Sequence, residues 1–530
     1  MSLDAANAPH VLAWAGEGKL PTLARLMQAG TVARLGSVGR YFPDAIWPTI
    51  ITGCLPGKHG HYNWRCLRPG TYSMTLAPDR AYRRPLWELM HRSPAAGEPL
   101  RLIVFDVQRS SLLRVDSVTQ VIGWGQRAAQ RSESWPPELL GDLAARYGRA
   151  PRWLDDDVVR RTVRAETRYL RTTLRLAATR STLLRDLLRE RPWDFCLASY
   201  HETHNGGHVF FRYLEPGTWA YEERRAARFR EALLEIYQVV DRGLGEVLDS
   251  IPDGTDVLVF AGQSLRLNTN GLHLLPRVLT ALGYQTPARA SLVPRALNSV
   301  SAHVPWSIRR HVNRRMSVEA RARTLERMWS GASDWGRTRA VAETACGQCW
   351  VRVNLRGREP QGTVEAGAPY DALCEEISAE LRALVDVDTG APAVGEVVPV
   401  ASLVEGPRVP ELPDLFVGWA KNGLVRAVRH PRVGVIRESL HDLVPTEHGD
   451  DAFLVAAGPR IREGTTVEGG HIVDIAPTLL HLMGCPIPED MDGSVLTGLL
   501  EPAELAEHPV RREQIEWEDD PWAASPARGS

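Results

Sequence analysis

The chain has 530 residues, a mass of 58.8 kDa and a formal net charge of −1, and no segment concentrates positive charge. General affinity for nucleic acid or for acidic membranes is therefore excluded, because binding to a polyanion requires a basic surface. The hydrophobic share of 44% is that of a globular protein, and no apolar run approaches the ~18 residues needed to span a membrane.

Short apolar runs alternate with longer amphipathic runs along the chain. This alternation predicts an α/β fold with a mainly parallel sheet between helices. The predicted strands are Leu102–Phe105, Phe195–Ser199, Val257–Phe260 and Phe453–Ala456. The predicted helices are Pro21–Ala29, Asp155–Arg189, Ala226–Ser250 and Asp474–Met483.

Two stretches interrupt this rhythm and predict the domain organisation. Residues 286–345 combine Pro, Arg and Trp with helical character, which indicates a helical insertion or lid. Residues 346–440 contain short strand-like pieces with Gly and Pro, which indicate a small mixed subdomain. Residues 1–285 and 441–500 are then the two parts of one α/β core, and residues 501–530 form a peripheral tail.

Histidines follow one predicted strand closely. Ligands of α/β sheets bind beyond the carboxyl ends of the strands, so polar residues at these positions are the first candidates. Segment 200–208, directly after Phe195–Ser199, holds three histidines and a carboxylate. Zinc, iron and manganese take such ligands, and Gly206-Gly207 would let His204 and His208 converge. We therefore favour a metal site here over a polar surface loop.

Three further positions are candidates at the ends of predicted elements. His448 lies in a loop directly before the strand Phe453–Ala456. Asp4 could bind a hard cation, although a solitary Asp also caps helices. Pro48 suits the first turn of a helix, which would put Thr49 at the positive N-terminal end, where a hydroxyl or a phosphate is favoured. An ordinary capped helix is the alternative there.

Together these pieces resemble the alkaline phosphatase superfamily, and within it the type I phosphodiesterase/nucleotide pyrophosphatase-like branch. The order of the matching segments is the specific feature, and the resemblance extends to about Gly493. The segments are SLDAA from Ser2, GKLPTLARL from Gly18, WPT from Trp47, TGCLPGKHG from Thr52, ETHNGGH from Glu202, NLRGREP from Asn354 and DIAPTLLHLMG from Asp474.

The resemblance implies an alkaline-phosphatase-like fold with two metal sites flanking a Thr or Ser nucleophile. One site would consist of His204, His208 and His448, with His204 where many relatives have Asp. The other would use Asp4, the nucleophile and an Asp-His pair after the strand Val257–Phe260.

The sequence departs from this pattern at the second site. Gly262 and Gln263 stand where the Asp-His pair is expected. Glycine offers no ligand and a Gln carbonyl is a poor substitute for imidazole on zinc. We therefore expect a degenerate second site and one bound cation rather than two.

The nucleophile departs from the pattern as well. Relatives place a Thr two residues before a Pro, and matching that Pro to Pro48 gives Ile46. Alignment from Thr52-Gly53 gives Pro43, which also lacks a hydroxyl. Thr49 is then the nearest candidate, and Asp44 a possible base or ligand.

The start of the chain also bears on its site and its location. Only three residues precede Asp4, so either the first strand is stunted or the assigned start lies too far downstream. The N-terminus has neither the basic residues nor the apolar run of a secretory signal, which predicts a cytoplasmic protein.

These features predict a metal-dependent hydrolase of a phosphoric ester, of phosphodiesterase, pyrophosphatase or phosphatase type. Its substrate would be a small molecule, and its divalent cation zinc. Thr49 or a metal-bound water would attack, and Glu202 would act as general base or orient a histidine. Asn63 and Arg109 are candidate contacts for the anion. The alternatives are lyase or transferase chemistry with a single metal in a specialised pathway, or a homologue that only binds.

Overall fold

The computed structural model describes residues 1–76, 83–93, 98–126, 132–149, 159, 162–288, 333–345, 347–421, 423–438 and 444–514. The chain divides into two compact units. The first consists of Met1–Gly60, Pro78–Asn268 and Val444–Ser530. The second consists of His61–Ala77 and Thr269–Leu443. Most of the predicted insertion 286–345 lies outside the described residues.

Within the described residues of the first unit, nine strands form one sheet. Its order is β9-β2-β8-β7-β1-β6-β3-β4-β5. The block β4-β3-β6-β1-β7 is parallel throughout, and β5 and β8 run antiparallel to its outer strands. The mainly parallel α/β fold is thereby confirmed. The strands are β1 (Ser2–Leu3), β2 (Gly30–Gly36), β3 (Leu102–Phe105), β4 (Val118–Ile122), β5 (Glu133–Trp135), β6 (Phe195–Tyr200), β7 (Val257–Ala261), β8 (Ala452–Ala457) and β9 (Thr465–His471).

Helices pack around this sheet in the first unit. Those among the described residues are α1 (Ala8–Gly16), α2 (Pro21–Gln28), α3 (Ile46–Thr52), α4 (Pro56–His59), α5 (Leu86–Arg92), α6 (Leu139–Tyr147), α7 (Val163–Glu190), α8 (Glu202–Phe210), α9 (Glu223–Phe229), α10 (Ala232–Leu248), α11 (Ile475–Leu482) and α12 (Pro502–Glu507). No helix in the described part of the chain is both long and apolar enough to cross a membrane.

The sequence explains the central elements directly. Strand β3 is an unbroken apolar run, buried at every position, as expected for a strand covered by helices on both faces. Helix α7 begins after Thr162, whose hydroxyl accepts a hydrogen bond from the Ala165 amide at 3.1 Å. The predicted helix Ala226–Ser250 is instead two helices, α9 and α10, which are separated by Arg230 and Glu231.

The second unit is antiparallel in its described strands and has its own apolar core. One sheet contains Ala340–Ala345, Gln348–Val353, Leu415–Trp419 and Val394–Pro399, and another contains Val385–Asp386, Ala427–His430 and Gly434–Arg437. A hairpin pairs Arg65–Leu67 with Met74–Leu76. The described helices of this unit are Leu275–Ala281 and Ala368–Arg382.

Candidate metal centre

The carboxyl ends of the parallel strands bring the candidate residues of the first unit together. Leu3 in β1 lies opposite Tyr200 in β6, so Asp4 and the helix that follows His201 leave the sheet at the same level. The Asp4 amide donates to the Tyr200 carbonyl at 3.0 Å, and the Thr203 hydroxyl donates to the Asp4 carbonyl at 2.7 Å. This is the sheet edge where ligands of α/β folds bind.

Three histidines converge at this edge. His204 and His208 lie one turn apart on α8, and their Nε2 atoms are 2.9 Å from each other. His448 comes from the strand Thr446–Gly449, where it lies opposite Leu265. One ligand atom of each imidazole can be chosen so that all three lie within 4.8 Å of one another.

The surroundings of these imidazoles suit a cation. His204 Nδ1 contacts Asp4 Oδ2 at 2.8 Å, and His208 Nδ1 contacts the Thr446 hydroxyl at 2.8 Å. Such hydrogen bonds to the second nitrogen are typical of histidines that ligate metals. The buried Nδ1 of His448 has no hydrogen-bond partner among the described residues.

The charge state and spacing of the histidines fit zinc as well. Burial, followed by the charge of His204, lowers the pKa of His448 to about 3, which keeps its imidazole neutral and able to donate a lone pair. Two ligand nitrogens on a tetrahedral zinc are separated by about 3.3 Å, given Zn–N bonds of ~2.0–2.1 Å. The 2.9 Å between His204 and His208 requires only a small shift, whereas the widest separation in the group, 4.8 Å, must shorten for His448 to bind the same ion.

Asp4 serves these histidines as a hydrogen-bond acceptor. Its Oδ2 contacts His201 Nδ1 at 3.0 Å and accepts from Gln108 Nε2 at 2.8 Å, in addition to its contact with His204. Its Oδ1 accepts from Trp47 Nε1 at 3.1 Å. Burial alone raises the pKa of Asp4, but the charge of His204 and the hydrogen bonds from both histidines hold that pKa well below its usual value. Asp4 is thus a hydrogen-bond partner of His204, and its predicted role as a ligand stays a prediction.

The two predicted catalytic residues, Thr49 and Glu202, are buried and hydrogen-bonded to residues outside the three-histidine group. Helix α3 begins at Ile46, and the Thr49 hydroxyl is fully buried and contacts His59 Nε2 at 3.1 Å. The Glu202 carboxylate has no exposed surface, and Arg180 contacts both of its oxygens. Neither of these hydrogen bonds is to one of the three histidines, and the catalytic roles of Thr49 and Glu202 stay predictions.

The two predicted anion contacts fall in different units. Arg109 lies in the first unit, four residues after β3 ends at Phe105, and its guanidinium contacts Asp44 Oδ2 at 2.5 Å. Burial raises the pKa of Asp44, and the charge and hydrogen bond of Arg109 counteract this only partly. Asn63 is buried and belongs to the second unit. The role of Asn63 stays a prediction.

A model of the family described as type I phosphodiesterase/nucleotide pyrophosphatase matches residues 1–266. This match covers half of the chain and includes β1, β3, β6 and helix α8 with its two histidines. The chain belongs to this family. Its members are metal-dependent hydrolases of phosphoric esters, so the predicted superfamily branch and the prediction of an enzyme are confirmed.

Three solved structures are similar to this chain over most of its length at low sequence identity. Phosphonoacetate hydrolase from Sinorhizobium meliloti 1021 is 14% identical with a TM-score of 0.49, over 90% of this chain and 92% of that chain. Alkaline phosphatase PafA is 13% identical with a TM-score of 0.48, over 94% and 98%. Murine ectonucleotide pyrophosphatase/phosphodiesterase 5 is 10% identical with a TM-score of 0.45, over 91% and 94%. No curated protein sequence matches this chain.

Two isoleucine side chains lie close to Gly262, one of the two positions where the family resemblance implies an Asp-His pair. A Cβ atom built on Gly262 would lie 2.6 Å from Ile46 Cγ2 and 2.6 Å from Ile50 Cδ1. A side chain at position 262 would therefore collide with Ile46 and Ile50 unless they move. The buried Oε1 of Gln263 has no hydrogen-bond partner among the described residues.

Sequence reasoning missed several neighbours of the site. Gln108 follows strand β3, so the rule that selected the histidines could have selected it too. Thr446 stands two residues before His448, on the same face of an extended strand. His201 lies inside the selected segment but was not singled out, and Trp47 and Arg180 carry no local signal at all.

A cavity of about 540 Å³ lies away from this centre, in the first unit. Its lining includes Met1 and the first residues of β6 and β7, which are Phe195 and Val257. The histidines follow the opposite ends of these parallel strands. The cavity is therefore no part of the metal centre.

Proposed function

We propose that this protein hydrolyses a phosphoric ester of a small molecule with one divalent cation, preferably zinc, held by His204, His208 and His448. The observation that carries the proposal is the convergence of three imidazoles, two of which, His204 and His208, are hydrogen-bonded through Nδ1 to Asp4 and Thr446. When bound, the cation supplies Lewis acidity and activates water near neutral pH.

The chain's own residues prepare the site for this chemistry. When His204 donates its Nδ1 proton to Asp4, its Nε2 lone pair is left for the cation. His208 donates its Nδ1 proton to the Thr446 hydroxyl in the same way. Fixing both tautomers before the cation arrives favours tight binding.

Water is the proposed nucleophile because the candidate hydroxyl is enclosed. Thr49 is bonded to His59 and buried, and Ile46 stands where the family pattern calls for a hydroxyl residue. We assign the anion contact to Arg109. Its side chain is 13% exposed, and its guanidinium contacts Asp44. A planar guanidinium can bind two phosphoryl oxygens at once.

Metal analysis combined with a turnover assay tests the proposal. We expect about one zinc per chain, anomalous scattering at the three histidines, and hydrolysis of bis-p-nitrophenyl phosphate or p-nitrophenyl phosphate. His208→Ala should lose the metal and the activity, whereas His508→Ala changes an exposed histidine and should lose neither. Protein with no metal and no turnover would contradict the proposal.

One observation favours a second candidate, a single-metal lyase or transferase. The contact of Ile46 and Ile50 with Gly262 removes both the nucleophile and a ligand that a standard phosphoryl transfer in this family would use. About one metal per chain without any phosphoester turnover would favour this second candidate over hydrolysis.

A further inference from the structure

Arg180 occupies an enclosed position behind the three histidines. It lies in helix α7, and its side chain has no exposed surface. Its Nε and Nη2 donate to the Glu202 carboxylate at 3.1–3.2 Å, and its Nη1 donates to Asp106 Oδ2 at 2.9 Å. Its guanidinium carbon also lies 5.0 Å from the ring centroid of Trp124. The Arg180 guanidinium is therefore held on several sides.

Glu202 links Arg180 to two of the proposed ligands. It is the first residue of α8, the helix that carries His204 and His208 two and six residues further on. A carboxylate held by a bidentate guanidinium is fixed in direction as well as in distance. The contact therefore fixes the beginning of the helix and, with it, the direction in which both histidines project.

Asp106 links Arg180 to His201, which contacts Asp4. Its carboxylate accepts the amide protons of Trp124 and Gly125 at 2.8 and 2.9 Å, and its carbonyl contacts His201 Nε2 at 2.7 Å. Asp106 has a φ of 56°, a left-handed conformation that is unfavourable for a residue with a Cβ. Such a backbone persists only where surrounding contacts hold it in place.

A continuous series of polar contacts runs from Arg180 to the ligand set. From Asp106 it passes to His201, then through His201 Nδ1 to Asp4 Oδ2 at 3.0 Å, and from that oxygen to His204 Nδ1 at 2.8 Å. His204 is thus reached from Arg180 by two routes, through α8 and through Asp4.

We propose that Arg180 is a positioning residue of the cation site, acting through Glu202 and Asp106 on the directions of His204 and His208. This inference rests on the proposed function, because it presupposes a cation at the three histidines. A buried ion pair is costly to desolvate and is a weak source of stability, so preorganisation of the ligands gives this one a reason to be retained. Loss of such outer contacts weakens metal binding by about 10- to 100-fold in other proteins.

Two kinds of variant probe this role. Arg180→Lys keeps the charge but cannot bind Glu202 and Asp106 with one planar group. Gly125→Ala leaves Arg180 unchanged but would put a Cβ 2.3 Å from its Nη2, which forces the guanidinium to move. Arg352→Lys is the matched control, since Arg352 is a buried arginine of the second unit that binds Glu359 at 2.9 Å.

The test measures zinc affinity by competition with a chelating dye, together with the visible absorption spectrum of the cobalt(II)-loaded protein. We expect about 10- to 100-fold weaker zinc binding and an altered cobalt spectrum in both site variants, with both properties unchanged in Arg352→Lys. Unchanged affinity and spectrum in folded Arg180→Lys and Gly125→Ala would overturn the inference while leaving the proposed function standing. Wild-type protein that binds neither metal would overturn the proposed function and this inference with it.

Discussion

At the scale of single residues, Asp4 illustrates the difference between a residue that binds a cation and a residue that orients a cation ligand. The sequence shows only a carboxylate at a strand end. In the structure three donors share Oδ2, namely His201, His204 and Gln108, which leaves little room for a cation on that oxygen. We therefore expect the carboxylate to act on a bound cation through His204.

Replacing Asp4 by Asn tests this distinction. The variant loses the charge that accepts the His204 proton, so we expect zinc to bind about 10- to 100-fold more weakly, with the stoichiometry unchanged. Isothermal titration calorimetry measures both quantities. Asp249→Asn, at an exposed carboxylate paired with Arg25, serves as the control. Two zinc ions per wild-type chain, with one of them lost in Asp4→Asn and unchanged affinity at the other site, would show that Asp4 is itself a ligand.

Thr49 gives a second prediction at this scale. Thr49→Val keeps the shape of the side chain but removes the hydroxyl that contacts His59. We expect kcat to stay within about twofold and the free energy of unfolding to fall by ~1 kcal/mol, the usual effect of one lost buried hydrogen bond. Urea unfolding and steady-state kinetics measure the two effects. Loss of activity in a variant that keeps its zinc would identify Thr49 as the nucleophile.

At the scale of elements, the parallel strands were predictable and the network behind the site was not. Leu102–Phe105 coincides with β3, and Phe195–Ser199 falls one residue short of β6, because a strand buried on both faces is a continuous apolar run. Arg180 binds Asp106 and Glu202, which lie 74 and 22 residues away in sequence. No periodicity reports such a contact, since it depends on how α7 packs against the strand ends.

The packing of helix α3 against the end of β7 gives a prediction about pairs of elements. Gly262→Ala should lower the free energy of unfolding by about 1–3 kcal/mol, because the added methyl group collides with Ile46 and Ile50. Ile46→Ala removes one of the colliding groups, so the double variant should lose less than the sum of the single variants. Urea unfolding of all three proteins measures this coupling.

Gly141→Ala is the control for that series. Nothing lies within 4 Å of a Cβ built at Gly141 in helix α6, so this substitution should leave stability unchanged or raise it. Additive losses for Gly262→Ala and Ile46→Ala would mean that the contact between α3 and the end of β7 does not close the second site.

At the scale of the whole molecule, the two units have separate apolar cores. Among the described residues, the core that contains Phe105 and Tyr200 shares no member with the core that contains Val351 and Leu415. All three histidines of the metal centre belong to the first unit. Binding of a cation should therefore stabilise the folding of the first unit directly.

Removal of the cation gives the prediction at this scale. A ligand present at a hundred times its dissociation constant stabilises the folded state by about 2.7 kcal/mol. We therefore expect chelation by EDTA to lower the melting temperature of the first unit. Hydrogen exchange at β3 and β6 measures this change. Exchange in the strand Gln348–Val353 of the second unit should stay unchanged. His208→Ala should make the protein insensitive to EDTA, because the site is already lost. An equal effect of EDTA in that variant would show that the stabilising cation binds elsewhere.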